Sequence, residues 1–126
     1  MVLRGAAFVA FIPVRHLESA REFYCGTLEF EAVEQTPVAL IVDAGGVPLR
    51  LAEVPELVPQ PFTIAGWLVS NISLTVASLS KAGVRVKRYE GMVQDEQGVW
   101  TSPGGDRVAW FADPDGNVLS VTESVH

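Results

Sequence analysis

The sequence predicts an α+β fold of two tandem βαβββ modules forming a cup-shaped open β-barrel. Three observations carry this. First, residues 39–53, ALIVDAGGVPLRLAE, align without a gap on residues 109–123, AWFADPDGNVLSVTE, at an offset of 70 (109 − 39), and Ala, Asp, Gly, Leu and Glu recur at five of the fifteen places. Second, each copy reads as strand, turn, strand, because turn-forming residues cluster between two apolar runs. Third, the openings of the two halves superimpose, with Val14, Leu17 and Tyr24 falling on Val69, Ile72 and Leu79 at an offset of 55 (69 − 14). Two copies are too few for a solenoid, so the reading is a domain of two like halves. Helices covering one sheet face in each half leave the other faces to enclose a cup.

The elements follow in order. Residues 6–14 are an apolar run of strand length, and Pro13 marks its exit. Leu17, Ala20, Phe23, Tyr24 and Leu28 recur at helical spacing with Glu18, Arg21 and Glu22 opposite, which predicts an amphipathic helix of about three turns. Residues 30–35 suit a short strand, and 38–42 with 48–54 form the first hairpin. Prolines at 55, 59 and 61 mark 55–61 as an extended linker. The modules therefore span 6–54 and 62–124 within a single domain, 1–126. In the second module, 62–69 is a strand, and Ser70-Asn71 caps a helix with the apolar face Ile72, Val76, Leu79 and Ala82. Gly83 suits the left-handed position after its end. Residues 84–89 alternate Val with basic side chains and predict a strand, 90–98 a loop, and 99–101 either a short strand or a loop arm. Pro103-Gly104-Gly105 then turns into the final hairpin.

A chain of 126 residues that is 48% hydrophobic can bury a core. The net charge of −6 opposes nucleic-acid binding, which needs a basic surface. One cysteine, Cys25, excludes an internal disulfide and a cysteine-based zinc site, and its amphipathic setting suits packing. No apolar run approaches the ~18 residues of a membrane span. The opening MVLRGAAFVAFIPV lacks a small-residue cleavage site and leads straight into a helix, so it reads as a strand of a cytoplasmic protein. There is no nucleophile elbow and no phosphate-binding loop.

Three segments in order, IPVRHLESAREFYCGTLEF, VSNISLTVASLSKAGVRV and VAWFADPDGNVLSVTE, give residues 6–124 a resemblance to the vicinal oxygen chelate superfamily. That group includes glyoxalase I, bleomycin-resistance and fosfomycin-resistance proteins and extradiol dioxygenases. The resemblance implies the glyoxalase/bleomycin resistance-like fold, usually as a homodimer. Such sequences usually read Leu-Gly-Phe after the first helix, where this one has Leu28-Glu29-Phe30. A left-handed Glu29 would cost about 1 kcal/mol against Gly. The resemblance also implies a divalent metal held from the first and last strand of each module. Those four positions map to Val9, Arg50, Ile64 and Ser120, with offsets of 55 (64 − 9) and 70 (120 − 50) that agree with the repeat.

None of the four suits a metal. Val and Ile have nothing to donate, a Ser hydroxyl is weak alone, and Arg50 carries a permanent positive charge. His16 lies at a helix start and His126 is the last residue. Strand alternation turns Glu53 and Glu123 to the opposite face. The turn at Asp113 does not continue as a calcium loop, because Val118 and Ser124 stand where Gly and Glu are required. No cofactor is therefore expected.

If these four positions face inward, alternation adds Ala7, Phe11, Pro48, Ala52, Phe62, Gly66, Val118 and Thr122 to the cup lining. An apolar, aromatic pocket with few polar points is the usual make-up of a small-molecule site. Arg50 either anchors an anionic or carbonyl oxygen with Ser120 beside it, or pairs with a carboxylate, or turns out over the rim. Trp100 and Trp110 either stack on a ligand or pack within the fold. The expected ligand-binding residues are Phe11, Arg50, Phe62, Trp100, Trp110 and Ser120. The expected function is metal-independent binding of an aromatic or amphipathic small molecule. The alternative is a glyoxalase-like metal-dependent enzyme (lyase, isomerase or dioxygenase) with a non-standard site.

Overall fold

A computed structural model describes residues 2–125 and divides the chain into two compact units, one ending at Leu57 and one starting at Val58. The first unit runs β1 (Ala10–Val14), α1 (Leu17–Arg21), β2 (Glu31–Gln35), β3 (Ala39–Asp43) and β4 (Pro48–Glu53). Its sheet has the order β1-β4-β3-β2, with β1 parallel to β4 and the other pairs antiparallel. The second unit runs β5 (Thr63–Leu68), α2 (Ile72–Lys81), β6 (Trp100–Thr101), β7 (Arg107–Ala112) and β8 (Val118–Glu123). Its sheet repeats the pattern in the order β5-β8-β7-β6. Two tandem βαβββ modules are therefore present, each a four-stranded mixed sheet with one helix.

In each unit one sheet face is buried. Ile12, Val14, Leu40, Val42, Leu49 and Leu51 make that face in the first unit, with Leu17, Ala20 and Tyr24 from the helical segment. Ala109, Phe111, Leu119 and Val121 make it in the second, with Ile72, Val76 and Leu79 from α2. Each large side chain so buried contributes roughly 1.5–3 kcal/mol.

The five recurrent residues each have a structural task. Ala39 and Ala109 are buried, and Leu49 and Leu119 are core. Asp43 Oδ1 accepts from the Gly46 N–H at 2.6 Å, and Asp113 Oδ1 accepts from the N–H groups of Asp115 and Asn117 at 2.9 Å each. Gly46 and Gly116 take φ of +88° and +90°, where a side chain would be strained. Glu53 accepts from the Leu17 N–H at 3.1 Å, and Glu123 from the Ile72 N–H at 2.8 Å. Each unit thus caps its helix with a carboxylate from its own last strand, satisfying a donor that the helix start leaves unpaired. Asn71 adds a second cap on α2, accepting from the Leu74 N–H at 3.1 Å.

Four expectations require correction or refinement. The first strand begins at Ala10, not residue 6, since its partner β4 begins at Pro48, which has no N–H to extend a ladder. The first helix is α only over Leu17–Arg21 and widens to a π-helix over Glu22–Thr27, a stretch containing the poor helix former Gly26. Just past its C-cap, Leu28, stands Glu29, the one non-glycine residue with positive φ (+64°) among the described residues, as the missing family glycine implies. Residues 84–89 are not a ladder strand. Val86 makes one bridge to Phe111, but beyond it the Lys87 carbonyl and the Tyr89 N–H are taken by the Gln94 side chain. The remaining strand of the second module is instead Trp100–Thr101, pairing with β7.

Candidate functional site

The sheet face turned away from the helix carries Phe11 and Arg50 in the first unit and Ser120, Trp110 and Trp100 in the second. In the first unit a cross-strand row runs Phe11, Arg50, Ile41, Glu34 from β1 to β2. The Arg50 guanidinium carbon lies 5.8 Å from the centroid of the Phe11 ring. That is a cation–π contact, worth about 0.5–1 kcal/mol at an exposed site. Among the described residues Arg50 pairs with no carboxylate. Val9 lies just before β1 and is exposed.

In the second unit the corresponding row is Gly66, Ser120, Trp110, on β5, β8 and β7. Ser120 is 8% exposed, and a Cβ at position 66 would stand 2.5 Å from its Oγ. Gly66 therefore leaves the room that the hydroxyl occupies. Ile64 falls in a register irregularity between Thr63 and Ala65, so its strand position is not a regular ladder site. Phe62 directly precedes β5 and is exposed. The next row holds Leu68, Thr122, Val108 and Trp100.

Trp100 and Trp110 meet on this face, with ring centroids 6.0 Å apart. Tyr89 joins them edge-on, 5.6 Å from Trp110. Burial pushes the Tyr89 phenol above its ordinary pKa, so it stays protonated across the neutral range. The structure thus brings Trp100, Trp110 and Ser120 together in one unit, and Phe11 with Arg50 in the other.

The polar run before Trp100 braces this wall. Gln94 uses its whole amide: Oε1 accepts from the Tyr89 N–H at 2.8 Å, and Nε2 donates to the Lys87 and Gly98 carbonyls at 2.9 and 2.8 Å. Asp95 Oδ1 accepts from the N–H groups of Gln97 and Val99, and Arg88 donates to the Asp95 and Glu96 carbonyls. A hollow of about 250 Å³ opens beside Trp100, lined also by Val93, Gln94, Asp95, Val99 and Thr101. A second, of about 490 Å³, lies between the end of α2 and the 94–99 loop, lined by Val76, Val84, Arg85, Arg88 and Glu96 among others. Tyr89 escaped the sequence reading, although it had a signal, the alternation of 84–89 that puts it on the parity of Lys87.

The side chains at the positions implied for a metal do not fit one. Two are hydrocarbon, one is a single hydroxyl, and the fourth is a guanidinium stacked on Phe11. Among the described residues no three His, Cys, Asp or Glu side chains gather to hold an ion. The Asp113 carboxylate is engaged by its own turn, since Oδ2 also accepts from Asn117 Nδ2 at 2.8 Å. His126 lies outside the described residues. Among those residues no helix is long and apolar enough to cross a membrane.

Comparison with known proteins agrees with this architecture. The family model described as Glyoxalase/Bleomycin resistance protein/Dioxygenase superfamily matches residues 6–121. No curated protein matches the chain. Among solved structures, a member of the glyoxalase/bleomycin resistance protein/dioxygenase superfamily from Sphaerobacter thermophilus DSM 20745 superposes with a TM-score of 0.75 at 24% identity, covering 95% of this chain and 98% of that one. TnmS3, an antibiotic binding protein from Streptomyces sp. CB03234, superposes at 0.71 with 25% identity and 98% coverage of both chains. Lactoylglutathione lyase from Agrobacterium tumefaciens superposes at 0.72 with 15% identity, covering 95% and 94%.

Proposed function

We propose that this chain, which belongs to the Glyoxalase/Bleomycin resistance protein/Dioxygenase superfamily, binds an aromatic or amphipathic small molecule without a metal. The observation that carries the reading is the wall of Trp100, Trp110 and Tyr89 beside the buried Ser120 hydroxyl. Flat rings gain about 0.5–1.5 kcal/mol per aromatic partner beyond the area they bury, and a hydroxyl at the edge orients them. Arg50, in the first unit, carries a charge that suits an anionic or carbonyl oxygen and repels a divalent cation. The likeness to TnmS3, named an antibiotic binding protein, supports binding over turnover. The likeness to the lactoylglutathione lyase bears on the fold alone.

Native mass spectrometry with elemental analysis of the purified protein tests the reading. The expected result is protein without stoichiometric divalent metal whose tryptophan emission is quenched saturably by a planar aromatic ligand, the effect weakening in Trp110→Ala. Stoichiometric metal together with an activity abolished by chelation refutes it. The same spectra read the oligomeric state, for which a homodimer is proposed.

A further inference from the structure

We infer that Lys87 is the ion-pairing residue of the aromatic face and that the ligand class is a planar aromatic anion. This rests on the binding reading above and names the chemistry it selects. Val86 bridges antiparallel to Phe111, a core residue 1% exposed. The Lys87 N–H donates to the Trp110 carbonyl at 2.7 Å, so Lys87 lies across from Trp110 and on its face, opposite to Val86 and Phe111. The row Gly66, Ser120, Trp110 therefore ends in a half-buried lysine.

Its backbone is held on both sides. Gln94 takes the Lys87 carbonyl and the Tyr89 N–H, fixing where the stem leaves the chain and keeping Tyr89 against Trp110. Among the described residues the Lys87 ammonium has no carboxylate partner. A cation on an aromatic face with a hydroxyl in the same row matches a ring bearing a carboxylate or sulfonate: the ring meets Trp100 and Trp110, and the anion meets Lys87. The net charge of −6 gives the molecule a field that disfavours anions, so any anion preference is local in origin.

Calorimetric titration with 2-naphthoate and the neutral 2-naphthalenemethanol, in which CH2OH replaces the carboxylate, tests this on wild type, Lys87→Met and Lys87→Arg. Wild type should bind the naphthoate about tenfold more tightly than the alcohol, the size of one charge-assisted contact. Lys87→Met should lose that preference while its affinity for the alcohol, which reports an intact wall, stays unchanged. Lys87→Arg should retain most of it. Equal binding of both probes by wild type, or a preference that survives in Lys87→Met, overturns the assignment and leaves the aromatic binding reading standing. Binding of neither probe overturns both.

Discussion

Replacing Gln94 by Ala tests whether the aromatic face is built before a ligand arrives. The substitution removes three hydrogen bonds, to Tyr89, Lys87 and Gly98. A neutral hydrogen bond contributes about 1 kcal/mol net. Gly98 is buried, whereas Lys87 and Tyr89 are half-buried and recover part of the loss from water. The expected cost is therefore about 2 kcal/mol rather than the full three bonds. With an m-value of about 2 kcal/mol/M, the urea midpoint falls by about 1 M. Tryptophan emission is a suitable probe, because Trp67, Trp100 and Trp110 all lie in the second unit. Near-ultraviolet circular dichroism should weaken at the same time, as Tyr89 and Trp100 lose their fixed places around Trp110. Gln94→Glu is the sharper control: it keeps the shape but faces two carbonyls with a carboxylate, so it should cost at least as much at neutral pH. A midpoint change below about 0.2 M with an unchanged aromatic spectrum would show that Arg88 and Asp95 hold the loop without Gln94.

Further outcomes follow from the same geometry. Glu29→Gly relieves about 1 kcal/mol of left-handed strain at φ +64°, and after the greater flexibility of an unfolded glycine is subtracted, the net gain should be about 0.5 kcal/mol, read as a rise of about two degrees in melting temperature. Loss of stability in that variant would mean that Glu29 makes a contact worth more than its strain. Glu53→Ala and Glu123→Ala should each cost about 1 kcal/mol by uncapping α1 and α2, measurable in urea, whereas Glu53→Gln should recover part of the loss because an amide oxygen still accepts. The raised pKa of Tyr89 means that the folded chain holds the phenolic proton more tightly than the unfolded chain does. Stability should therefore fall as pH rises from the ordinary phenol value of 10.0 through the folded value, and less steeply in Tyr89→Phe. Phenolate absorbance, as wild type minus Tyr89→Phe, should titrate above 10.0, and a midpoint at or below it would refute the burial argument.

The residues that could be placed from the chain alone are those with a local physical requirement. Asp43 and Asp113 bond their own turns, Gly46 and Gly116 take positive φ, and Leu49 and Leu119 follow strand alternation into the core. These requirements recur at the same spacing in both halves, so the repeat exposed the two modules. The same spacing misleads about one strand. Aligned at an offset of 70, Leu40 corresponds to Trp110 (110 − 40), yet Leu40 is buried in the core and Trp110 stands on the opposite face. The first turn leaves residues 44–47 between the pair Asp43 and Pro48, whereas the second leaves 113–117 between Ala112 and Val118. One additional turn residue slips β7 by one position relative to β8, and a one-residue slip exchanges the two faces of a strand. Strand pairing, which brings residues distant in sequence into register, therefore decided that Trp110 lies across from Ser120 and beside Tyr89. It also gave the second module's remaining strand to 100–101 rather than 84–89, since Gln94 claims the backbone groups at 87 and 89. Turns, caps and core positions were determined by residues close together in the chain. Trp100, Trp110 and Ser120 could be named from the chain, but their sharing one face with Tyr89 depended on pairing between distant segments, which local patterns do not set.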